Sequence, residues 1–126
     1  MSTPAIDLSL VVKRFCRNIG LDPLLVQGAG GNVSWKENGV LHVKASGKWL
    51  VNAEIENIFV SVSLDGLYPL FESGDFSVAP KVICGESLRP SIETLLHAMM
   101  PQPVVVHIHA VEILSDLVRH NCAEII

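Results

Sequence analysis

Two histidines stand one residue apart in VVVHIHA, residues 104–110, at the end of an otherwise apolar run. Side chains two apart on a strand share a face, with Cα atoms roughly 7 Å apart. His107 and His109 would therefore lie beside Val105, while Val104, Val106 and Ile108 take the other face. Two imidazoles converging from one strand can both reach a metal ion at about 2.0–2.1 Å. A catalytic ion of this kind needs a third protein ligand and keeps one position open. The competing reading is a pair of core histidines, each hydrogen-bonded to neighbours. Burying two neutral rings without partners costs a few kcal/mol, and one cation would satisfy both. Spacing alone leaves the two readings open.

Glu93 and His97 are four residues apart and fall on one helical face. They do not form His-Glu-x-x-His. Locally, Glu93 reads as a first-turn carboxylate suited to the helix dipole, behind Ser91 as N-cap. His42 and His120 show no partner pattern and read as structural. GAGGN, residues 28–32, matches neither the dinucleotide fingerprint nor the P-loop. Successive glycines can nonetheless present several backbone N–H groups to an anion. ASGKW at 45–49 and the helix start in RPSIE at 89–93 add two more turns of that kind. Each alone is an ordinary turn or cap. Three of them in a chain with His-x-His point to a phosphorylated substrate.

These residues need elements to carry them. Leu8, Val11, Val12 and Phe15 have helical spacing and predict a helix over 6–18, with Gly20 as a stop and Pro23 preventing its resumption. NVSWK and VLHVKAS read as strands joined at Asn38-Gly39, a hairpin signal. NIFVSVSLDGLYPLF reads as a further strand with a turn at Asp65-Gly66. A helix is expected from about Ser91 to Met100, ended by Pro101 and Pro103. VVVHIH is a strand, and AVEILSDLVRH looks helical. Without regular βαβ alternation, the pattern favours an α/β sandwich: an antiparallel or mixed sheet with helices on its faces.

The 126 residues are about the size of one domain, and 49% are hydrophobic, enough for a core. A net charge of −4 offers no basic footprint for nucleic acid. No apolar run reaches about 18 residues, so no membrane association is expected. Cys16, Cys84 and Cys122 lack paired spacing and read as reduced thiols of a cytoplasmic protein. The end on Ile125 and Ile126, with no polar tail, reads as a cut, so residues 1–126 are expected to be one domain lacking its C-terminal part.

GGNVS, VKASGKWL, RPSIETLLHAMMP and VVVHIHA, in this order and spacing, resemble the class II aldolase/adducin family over roughly residues 8–120. The likeness is greatest to the aldolase half of bacterial proteins that join such a domain to a short-chain dehydrogenase. The resemblance implies a three-layer α/β/α sandwich around a mainly antiparallel sheet. It implies a divalent metal, most often zinc, on His107 and His109, with Glu93 as acid/base. It places Gly31, Asn32, Ser46, Gly47 and Ser91 around a substrate phosphate. It also implies a small phosphorylated sugar as substrate and a homo-oligomer, commonly a tetramer.

The implied reaction is reversible aldol cleavage through a metal-stabilised enediolate. A pentulose-phosphate 4-epimerase would use the same site. A non-catalytic adducin-like interaction domain and a truncated remnant are the other readings. Two departures stand out. Ile92 occupies a position where many members carry a second serine. The family's third metal-binding histidine and its acid tyrosine would fall beyond Ile126; His120 lies too near the pair, and Tyr68 does not match.

Overall fold

The computed structural model describes residues 7–74, 82–84 and 88–119. His120, Cys122 and the Ile125-Ile126 end lie outside them, as does the first residue of the expected N-terminal helix. Among the described residues five strands form one antiparallel sheet in the order β4-β3-β2-β1-β5. They are β1 (Asn32–Glu37), β2 (Val40–Lys44), β3 (Phe59–Ser63), β4 (Val82–Cys84) and β5 (Val104–His107). The helices are α1 (Leu8–Gly20), α2 (Leu64–Ser73), α3 (Thr94–Met99) and α4 (Val111–Arg119), with a short 3-10 turn at Leu50–Asn52.

The sheet alternates between two apolar clusters. Val33, Trp35 and Phe59 point into one, where Val12 and Cys16 of α1 and Leu50 meet them. Leu41, Val43, Val60 and Val62 point into the other, against Leu64 and Leu67 of α2 and Ala98 of α3. Helices therefore cover both faces, giving the three-layer α/β/α sandwich. Each fully buried Leu or Val in these clusters contributes about 1.5–3 kcal/mol.

The local signals explain most boundaries. Asp7 caps α1, its carboxylate accepting from the backbone N–H of Ser9 at 3.1 Å. Gly20 is the last residue of that helix rather than its stop, and close packing requires it: a β-carbon there would stand 2.5 Å from the Val51 backbone nitrogen. Asn38 and Gly39 both have positive φ, 52° and 77°, which closes the β1–β2 hairpin as its dipeptide predicts.

Three expected elements differ. The run 57–71 is not a strand with a turn at Asp65-Gly66; β3 stops at Ser63 and α2 begins. Ser63 Oγ accepts from the Gly66 N–H at 3.4 Å, Asp65 sits in the first turn, and Gly74 ends the helix at φ 69°. These caps, together with the burial of Leu64 and Leu67, offset Pro69 inside the helix. The helix expected from Ser91 starts instead at Thr94, with Glu93 at the cap position. The strand VVVHIH stops at His107, so His109 lies beyond it.

Candidate functional site

β1 pairs with β5 so that Asn32 faces His107 and Ser34 faces Val105. This register puts His107 on the α3 side of the sheet, the face that the strand alternation assigned to it. His109 follows in a loop rather than on the strand. Its N–H donates to Leu25 O at 2.8 Å, and its carbonyl accepts from Gln27 Nε2 at 3.2 Å. The two rings still meet edge to face, with centroids 4.9 Å apart.

The glycine loop closes on this pair. A β-carbon on Gly30 would stand 3.1 Å from His109 Nδ1, and one on Gly31 would stand 3.1 Å from His107 O. Gly31 also has φ 77°, a conformation glycine adopts without a steric penalty. The loop glycines thus let backbone lie directly against the histidines, whatever else their N–H groups do.

The Glu93 side chain does not serve α3. It makes no capping bond. Its Oε1 lies 3.1 Å from His107 Nδ1. That nitrogen is buried, and the approach lacks hydrogen-bond alignment, so it has no hydrogen-bond partner. Ser91 is not the N-cap either: its carbonyl accepts from the Thr94 N–H at 3.2 Å and the Thr94 hydroxyl at 2.7 Å. Its own hydroxyl accepts from Asn32 Nδ2 at 2.8 Å. Asn32 is buried at 1% exposure, and its Oδ1 accepts from the Lys44 N–H at 3.1 Å.

Lys44 gave no signal in the sequence beyond being a lysine within a strand. It is 2% exposed. Its Nζ donates to Ala29 O at 3.0 Å and Lys48 O at 2.7 Å, tying the glycine loop to the ASGK turn. Burial holds its ammonium below the ordinary lysine range, and Glu93 partly opposes that shift. The ASGK turn is held to the third segment as well, by Ser46 N–H donating to Arg89 O at 2.9 Å.

A cleft of about 180 Å³ lies between these segments. Gly31, Asn32, Ser46, Gly47, Ser91, Glu93 and His109 all line it, together with Lys44 and Ile92. Ile92 is 99% exposed there and offers no hydrogen bond. His107 reaches this group through Glu93. All eight residues singled out in the sequence therefore gather at one end of the β1–β5 pair.

Among the described residues no three His, Cys, Asp or Glu side chains form a group able to hold a metal ion. The donor chemistry nevertheless fits part of such a site. Two imidazoles beside a carboxylate are ligand types of a borderline divalent cation. A carboxylate oxygen and a ring nitrogen at 3.1 Å without hydrogen-bond alignment also have the spacing of two ligands around one ion.

Fold and cleft together define an α/β/α domain that gathers glycine-rich turns, a carboxylate and a histidine pair at one edge of its sheet. The chain belongs to the class II aldolase and adducin N-terminal domain family, whose model matches residues 12–115. It is similar to the solved N-terminal class II aldolase domain of a conserved protein from Thermoplasma acidophilum. That match has a TM-score of 0.70 and 30% identity, and covers 92% of this chain and 62% of the other. It is also similar to a Bacillus subtilis (strain 168) protein named uncharacterized oxidoreductase YuxG, 33% identical over 123 residues. The match takes in 85% of this chain but only 18% of that protein's length. No helix among the described residues is long and apolar enough to cross a membrane.

Proposed function

We propose that this domain carries a metal-dependent, class II aldolase-type lyase activity: reversible aldol cleavage of a small phosphorylated sugar. The observation that supports it is the gathering of glycine-loop, Ser46, Ser91, Glu93 and His109 groups around one cleft, with His107 in contact with Glu93.

His107 and His109 would hold the divalent ion, zinc by family resemblance. Bound there, the ion would act as a Lewis acid on the substrate carbonyl and stabilise enediolate charge. The chain's own groups do the rest. The Ser46 and Ser91 hydroxyls and the Gly31 and Gly47 N–H groups receive the phosphate. Ser91 Oγ already accepts from Asn32, so its own proton is free to donate to the anion. Lys44 holds the two anion turns together and adds positive charge beneath them. Glu93, fixed beside His107, moves the proton at the carbon next to the carbonyl. Anchoring the phosphate sets that carbon against Glu93 rather than letting it diffuse.

The same constellation could run a 4-epimerisation, and product analysis on ketose phosphates separates the two. By the same resemblance, the working form is a cytoplasmic homo-oligomer. The test is Glu93→Gln in the full-length protein reconstituted with zinc. Loss of cleavage with metal still bound is expected. Full cleavage by that variant refutes the role of Glu93, and absence of bound metal in the wild-type protein refutes the lyase reading.

A further inference from the structure

β1 buries polar side chains where a sandwich strand would ordinarily bury valines. Val33 and Trp35 serve one core. Asn32 and Ser34, on the other face, are buried at 1% and 0% exposure. Each alternate residue on that face reaches the segment carrying Glu93. Asn32 Nδ2 donates to Ser91 Oγ at 2.8 Å, and Ser34 Oγ lies 2.6 Å from His97 Nδ1. Lys36 Nζ donates to Met100 O and Gln102 O, each at 2.7 Å. These four contacts span residues 91–102, from before Glu93 to just past the end of α3.

We propose that this polar stripe is the device that positions Glu93 against His107, with the Ser34–His97 pair as its central rung. The geometry follows from the register. β1 carries His107 through its pairing with β5, and the same strand grips α3 through Ser34. His97 lies one turn after Glu93, its N–H donating to Glu93 O at 3.0 Å. Glu93 and His107 thus meet because one strand holds both carriers. A helix packed only by apolar contacts could slide or rotate by fractions of an ångström, and alignment lost on that scale is costly in catalysis. His97 is fully buried, and its Nε2 has no hydrogen-bond partner. A leucine would fill that place without an unpaired ring nitrogen but would strand the buried Ser34 hydroxyl, so the ring is explained by the fixed contact it makes with Ser34. His97 and Ser34 are positioning residues; they touch no reacting group.

The inference rests on Glu93 and His107 acting as a pair, and its test needs no activity. In the metal-free full-length protein, the rate at which diethylpyrocarbonate modifies His107 is followed by peptide mass spectrometry. Glu93→Gln sets the direction of change when the carboxylate is removed. Ser34→Ala and His97→Leu should change the rate in that same direction, while His97→Asn, whose amide can bond Ser34, should return it toward wild type. In the metal-loaded enzyme the first two should lower kcat roughly tenfold or more with little change in KM. The proposal is overturned if folded Ser34→Ala and His97→Leu proteins keep the wild-type His107 rate, or if His97→Asn behaves like His97→Leu. Should His97→Leu not fold, Ser34→Ala decides alone. A wild-type protein that cleaves no sugar phosphate refutes the lyase reading and leaves the His107 comparison standing.

Discussion

Gly30 lies against His109 so closely that a β-carbon would stand 3.1 Å from the ring's Nδ1 and 2.9 Å from Gln27 O. Gly30→Ala must therefore push the ring, the loop or both. Zinc affinity, measured by competition with a chromogenic chelator, should fall by about tenfold, or about 1.4 kcal/mol. Gly39→Ala is the control: its φ of 77° makes alanine strained, but nothing lies within 4 Å. It should cost about 1 kcal/mol of stability and leave zinc binding unchanged. Equal zinc affinity in Gly30→Ala and wild type contradicts this account.

Burial holds the His97 imidazole down to about 4, against an ordinary value of 6.5. Glu93 pulls it up, while His107 and Lys36 push it down, each to a lesser extent than burial. The unfolded chain therefore takes up a proton between about pH 6.5 and 4 that the folded chain refuses. Above this window His97 costs nothing, and as pH falls through it stability drops, by on the order of 3 kcal/mol. Urea melts at pH 7 and pH 4 should show this extra loss in wild type relative to His97→Asn, which cannot titrate. Parallel losses in the two proteins would show that His97 takes up its proton equally in both states.

Lys44→Met removes the donor shared by Ala29 O and Lys48 O. Both bonds are only partly buried, so losing each costs about 1 kcal/mol. The melting temperature should drop, and inorganic phosphate, expected to raise it in the wild-type protein, should no longer do so. Unchanged stabilisation by phosphate would mean that the brace between the two turns does not shape the anion site.

Cys16 is completely buried, and burial pushes its thiol up to about 12. Iodoacetamide at pH 8 should alkylate it orders of magnitude more slowly than an exposed thiol, because the thiolate is the nucleophile. Urea should abolish the protection. Peptide mass spectrometry reads the site directly, and rapid labelling of Cys16 in native buffer would contradict the packing of α1 on the sheet.

Much of the candidate site was legible because its residues are locally odd. Two histidines in a valine run, glycines in succession and an Asn-Gly tip each break the background pattern. The fold class followed from hairpin and helix signals in the absence of βαβ alternation. What stayed hidden was set by contacts distant in sequence. Ser63 does end a strand, but that its hydroxyl also caps α2 shows only in the structure. Ser91 reads as a cap until Thr94 takes its carbonyl and Asn32 its hydroxyl. Ser34, Lys36 and Lys44 carry no signal beyond being polar residues in strand-like runs, and His97 none beyond sharing a helical face with Glu93. Their partners lie 63 residues away for Ser34 and 64 and 66 for Lys36. For Lys44, 4 and 15 residues away, the partners are backbone carbonyls that no side-chain pattern reveals.

β1 writes in two registers at once: odd positions build a core, and even positions aim the site. A single inserted residue between 32 and 36 would exchange the two sets, putting Trp35 toward α3 and polar groups into the α1 core. That strand is therefore intolerant of length change in a way the 38–39 tip is not. For anyone grafting new specificity onto this domain, Asn38-Gly39 is where sequence can be added, and 32–36 is a ruler whose spacing must be left alone.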